Sequence, residues 1–217
     1  MIERFLHWML LNGSYVMIIS LGVALVRRRF LQAELKYIGA FLLLSLVGEI
    51  VSLTLSKLHI PNLFLLHIYT LLEFNIIALF YRRFFSAFYP RWLIVVLLLV
   101  FNSFVVLNTL FFQPLTVFNT YPRGLESLMV IGLAILCFYK MLTELDIKHP
   151  ETYPIFWINT GFLLYFAGSL ILFLLANITI EQPNQSLSLM SWGLHSCLFV
   201  LMHLAISLGL WLSPNLR

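Results

Sequence analysis

Strongly polar side chains interrupt long apolar runs in this chain, among them Glu49, His67, Glu73, Asn108, Glu126, His195 and His203. An ionisable group near mid-bilayer costs about 2.5–3.5 kcal/mol on insertion scales, so such residues mark a site, a relay or a packing network. Helix rise places each in depth. Relative to the middle of its run, Glu49 lies about 4 Å and His67 about 7 Å toward the side where the chain begins, with Asn108, Glu126 and His195 about 8 Å that way. Glu73 sits at the middle and His203 a few ångströms beyond it. Polar groups from five runs thus share one half of the bilayer, and exposing them to lipid is costly. They are expected to converge on a cavity lined by Glu49, His67, Tyr69, Thr70, Glu73, Asn108, Glu126 and His195. At 100° per residue, His67, Thr70 and Glu73 are spaced about 60° apart and share one broad helix face. A helix this polar belongs at the centre of a bundle.

Quieter roles are open to the same residues. A buried imidazole at His67 or His195 can bond a neighbouring carbonyl or carboxylate. Glu49 and Glu73 can fix helix packing as protonated or histidine-paired carboxyls. Arg123 precedes Glu126 by one helical turn, a spacing that suits a local ion pair. Asn159 suits a bond between helices, and Gly39, Gly48, Gly161 and Gly168 suit close helix approach.

The elements that carry these residues are legible from length alone. A hydrocarbon core about 30 Å thick needs about 20 residues of helix. The apolar runs 5–26, 37–56, 62–81, 92–112, 122–141, 154–176 and 190–212 meet that need. They leave little of the 217 residues for anything else. Hydrophobic residues make up 61% and charged ones 10%, where a soluble domain carries about a quarter charged. The fold class is an all-α membrane protein, a single seven-transmembrane-helix bundle over 1–217. The first run ends in Arg27-Arg28-Arg29 with no small-residue cleavage site, which reads as an uncleaved helix and not as a signal peptide.

Orientation follows from the basic residues of the short connections. Arg27, Arg28, Arg29, Lys36, Arg82, Arg83, Arg91, Lys140, Lys148 and Arg217 fall on one side, against Arg4, Lys57 and Arg123 on the other. The N-terminus is expected outside and the C-terminus in the cytoplasm, with the polar cavity facing outward. The net charge of +4 is therefore a topology signal, and no nucleic acid partner is expected. Aromatics interleaved with Arg82, Arg83 and Arg91 suit the headgroup layer. Cys137 and Cys197 sit toward opposite ends of their helices, too far apart for a disulfide.

Three function classes remain. A sensor or receptor would hold a small-molecule ligand in the cavity and pass its occupancy to a separate signalling partner protein. A membrane hydrolase would use zinc or another divalent metal on His67, His195 and Glu49. The adiponectin-receptor and alkaline-ceramidase type, however, carries paired histidines four apart on its last helix, whereas His195 and His203 are eight apart. A transporter would use the first and last three spans as parallel repeats about a linking fourth, the 3+1+3 arrangement of SWEET-type sugar transporters. That family's Pro-Gln motif is absent. No retinal is expected, since Lys36, Lys57, Lys140 and Lys148 all lie in or at the edges of loops. No catalytic motif stands out.

The strings Leu66-His67-Ile68-Tyr69-Thr70-Leu71-Leu72-Glu73-Phe74 and Phe156-Trp157-Ile158-Asn159-Thr160-Gly161-Phe162-Leu163-Leu164-Tyr165-Phe166 resemble uncharacterised seven-helix bacterial integral membrane proteins, similar to the membrane input modules of some sensor histidine kinases. The resemblance implies a sensor working beside a kinase. Its expected place is the plasma membrane, the inner membrane in a bacterium.

Overall fold

With no water in the hydrocarbon to satisfy backbone amides, apolar runs of this length must fold as helices. The computed structural model describes residues 2–31, 33–86, 88–143, 149–176 and 185–213. Lys148 and Arg217, which entered the charge count, lie outside them. The α-helices are α1 (Ile2–Asn12), α2 (Val16–Val26), α3 (Leu35–Lys57), α4 (Leu63–Phe85), α5 (Arg91–Phe111), α6 (Thr120–Thr143), α7 (Pro154–Leu174) and α8 (Gln185–Trp211), and no strand occurs among the described residues. Seven spans are long and apolar enough to cross a membrane, α1 and α2 together forming the first over Ile2–Val26. The chain is a multi-pass membrane protein built as a helical bundle.

The first span is not the single helix expected over 5–26. One 3-10 turn, Gly13–Tyr15, separates α1 from α2. Ser196 on α8 donates to the Met9 carbonyl at 2.7 Å, and a Cβ at Gly13 would collide with that hydroxyl. A side chain from a neighbour thus enters the hydrogen-bond ladder and breaks it. At the start of α6, Pro122 is tolerated because a first-turn amide has no intrahelical partner to lose. The helix therefore begins at Thr120, before the predicted 122.

Two helix ends are closed by specific contacts. After α3, His59 takes a left-handed φ of 56°. Its amide bonds Ser56 and that of Ile60 bonds Leu55, the Schellman pattern. After α4, the Lys140 ammonium donates to the carbonyls of Phe84 at 2.7 Å and Phe85 at 3.1 Å. A cation is favoured at this negative end of the helix dipole. Lys140 is therefore buried within the bundle, not in a solvated loop.

α7 packs closely on α8, with α6 on its other flank. Gly161 lies against Met202 and Ala205, Gly168 against Leu198, and Gly209 against Pro154 and Ile158. Gly48 lies against Tyr69, whereas Gly39 has nothing within 4 Å and serves no close approach. α1 and α2 pack on α8, α2 on α3, α3 on α4, and α4 on α6, which closes a ring; α5 lies against α4 and α6. Asn159 in the core accepts the Tyr81 hydroxyl at 2.7 Å and donates to the Ala134 carbonyl at 3.0 Å, tying α7 to α4 and α6. α4 is not enclosed on all sides as its polarity suggested, because Ile68 and Leu72 are exposed. Both cysteines are free.

Candidate functional site

Arg123 stands one turn into α6, where the helix has already entered the bundle, and only 5% of it is exposed. A guanidinium there needs counter-charges, because burying an unpaired ion is costly. Its Nη1 is paired with Glu73 of α4 and with Glu126, the latter at 2.7 Å. Its plane lies over the Phe173 ring at 4.7 Å and over Tyr69 at 5.7 Å. Two carboxylates against one guanidinium leave one formal negative charge or one bound proton. Arg123 Nε and Glu126 Oε1 are buried with no hydrogen-bond partner among the described residues.

A hydrogen-bond chain runs from this cluster to α3. The Tyr69 hydroxyl donates to Glu73 Oε1 at 3.2 Å and stands 3.0 Å from Ser45 Oγ. The glycine at 48 makes this possible, since a Cβ there would stand 3.1 Å from the Tyr69 ring. On the other flank, Tyr165 Oη lies 3.0 Å from His195 Nε2. Rings of Tyr165, Phe173 and Trp192 surround that imidazole at 5.3–5.8 Å.

These groups border a cavity of about 440 Å³. α3 and α4 form its walls, and Met17, Arg123, Tyr165, His195 and Phe199 form its back. Its polar lining is Ser45, Glu49, Ser52, Asn62, Tyr69, Arg123, Tyr165 and His195. Glu49 is half-buried and makes no hydrogen bond or ion pair among the described residues.

Of the predicted cavity residues, Glu49, Tyr69 and His195 line this space. Glu73 and Glu126 sit behind Arg123 and hold it; the expected Arg123–Glu126 pair is present, whereas Glu73 pairs with arginine and not with a histidine. His67, Thr70 and Asn108 serve the connection between α5 and α6 instead. His67 Nε2 donates to the Val117 carbonyl at 3.1 Å. Asn119 donates to Thr70 Oγ1 at 2.9 Å and to the Leu66 carbonyl at 3.1 Å. Asn108 donates to Gln113 Oε1 at 3.2 Å. The same oxygen accepts the Tyr121 amide at the start of α6.

The candidate metal set of His67, His195 and Glu49 is not assembled, because His67 turns to the loop while the other two face the cavity. Among the described residues no group of three or more His, Cys, Asp or Glu side chains could hold a metal ion. His203 does not line the cavity; it bonds Ser20 at 3.0 Å, stacks on Phe41 and packs at a tilt against Phe199. Sequence reasoning missed Arg123 and Tyr165 as lining residues. The signal for Arg123 was a mid-membrane glutamate, Glu73, with no cation assigned to it. Comparison with known protein families, curated proteins and solved structures finds no match for this chain.

Proposed function

We propose that this chain is a receptor-like membrane module that holds a small ligand in the cavity and passes its occupancy to a separate protein partner. The observation that carries the reading is the cavity itself: a roomy, mostly apolar space with a few convergent polar groups is the form ligand sites take. Behind it, the Arg123 cluster joins α4 to α6, so an occupant that moves Tyr69 or Arg123 changes how those helices pack. The partner in this reading is a membrane kinase, because the strings around His67 and Asn159 resemble the input modules of some sensor histidine kinases.

In this reading the N-terminal rim faces outward. Arg123 and Lys140 are taken up inside the bundle, and the basic residues still divide nine against two in favour of that orientation.

A transporter is the second reading. It takes the first and last three spans as parallel repeats about a linking fourth. A melting screen of water-soluble compounds on the purified protein separates the two. A ligand at a hundred times its Kd adds about 2.7 kcal/mol of stability. The receptor reading expects saturable stabilisation that His195→Ala weakens, with no flux of that compound in proteoliposomes. Robust flux overturns it in favour of transport.

A further inference from the structure

The cavity wall is open on one side. Val47, Val51, Ile68 and Leu72 all line it, and each is between 38% and 50% exposed. Val47 and Leu72 lie within about 3 Å of the middle of their helices, and Val51 and Ile68 about 7–9 Å nearer the N-terminal rim. Half the hydrocarbon thickness is about 15 Å, so this opening between α3 and α4 faces acyl chains. Its apolar edges match them.

The polar end of the cavity has an unbalanced charge. Glu49, Glu73 and Glu126 face it or stand behind it, and Arg123 is the cation that answers them. Formally that leaves two negative charges. Glu49, with no partner of its own, is the carboxylate that an occupant would meet. Tyr69, Tyr165 and Phe199 also line the cavity, and aromatic rings attract an organic ammonium.

We propose that the cavity takes a cationic amphiphile from the bilayer, its ammonium head at Glu49 and its single alkyl chain leaving between α3 and α4. This rests on the receptor reading and names the ligand class. A head carrying positive charge supplies the partner that the Glu49 carboxylate lacks, and a chain of hydrocarbon lies along the exposed apolar residues of α3 and α4.

The test uses the full chain in phosphatidylcholine vesicles and a dodecylammonium probe with a diazirine near its head. Photolabelling is expected to saturate on α3 and α4, to be competed by dodecylammonium, and to resist dodecanol and dodecanoate. Glu49→Gln should weaken probe binding about tenfold, the lower end of what a close charge pair supplies, while leaving the melting temperature unchanged. Ile68→Trp, which sets an indole across the opening from an exposed position, should abolish saturable labelling. Equal competition by dodecanol, or preference for dodecanoate, overturns the assignment of charge. Unsaturable labelling by every probe overturns access from the bilayer. If a water-soluble compound still stabilises the protein in the melting screen, the receptor reading survives that result.

Discussion

Replacing Arg123 by leucine removes the cation from a cluster whose carboxylates belong to two helices. Glu73 and Glu126 would then face each other almost wholly out of water. Breaking a buried pair by deleting one partner costs about 3–5 kcal/mol, and the lost cation–π contact with Phe173 adds about 0.5–2 kcal/mol. Proton uptake by the carboxylates offsets part of this, so a net loss of about 3–5 kcal/mol is expected. At about 2–4 °C per kcal/mol for a chain of this length, the melting temperature in detergent should fall by about 6–20 °C. Glu73→Gln alone should cost much less, because it leaves a balanced Arg123–Glu126 pair and an amide oxygen that still accepts the Tyr69 hydroxyl. The same substitution should change sign in the Arg123→Leu background and raise the melting temperature there, as expected for coupled neighbours. The assay is intrinsic-fluorescence melting of all four proteins at one pH. An Arg123→Leu variant that melts within about 2 °C of the parent, less than 1 kcal/mol by the same conversion, would refute the reasoning. So would additivity of the two substitutions.

Lys140→Met should destabilise by about 1.5–3 kcal/mol in the same melt, the range for hydrogen bonds made by a charged group, since two carbonyls at the end of α4 lose their donor. His59→Gly should stabilise by about 1 kcal/mol, because glycine adopts the left-handed conformation without the Cβ penalty. Tyr153, just before α7, has its phenol pushed up to about 12 by burial first and by nearby Glu34 second. The neutral phenol is the favoured form, so its contribution to stability is fully present below its ordinary value of 10.0 and lost as pH rises toward about 12. Phenolate absorbance of the parent minus that of Tyr153→Phe should show this late titration; a midpoint near 10 would contradict it.

Apolar length alone made the seven spans legible, because the bilayer admits few other structures. Partners across the bundle were not legible in the same way. A helical wheel placed His67, Thr70 and Glu73 on one face correctly, but it names a face and not what packs there. For His67 and Thr70 the neighbour is the connection before α6, and for Glu73 it is an arginine 50 residues on. Arg123 counts, by sequence, among the basic residues of the outer rim with Glu126 as a local partner, yet one turn into α6 it already lies inside the bundle and reaches Glu73 as well. The break at Gly13 depends on Ser196, 187 residues from the carbonyl it bonds. No local pattern carries that.

Ser52 offers the most direct test of an outward-facing ligand cavity, because it lines the cavity and its hydroxyl accepts from the Asn62 amide, another lining group, at 2.9 Å. In a background with Cys137→Ala and Cys197→Ala, Ser52→Cys should react with a membrane-impermeant maleimide added outside intact cells. Leu53→Cys, from an exposed position that does not line the cavity, should not. Reaction only from the cytoplasmic side, or at neither position, would contradict the account.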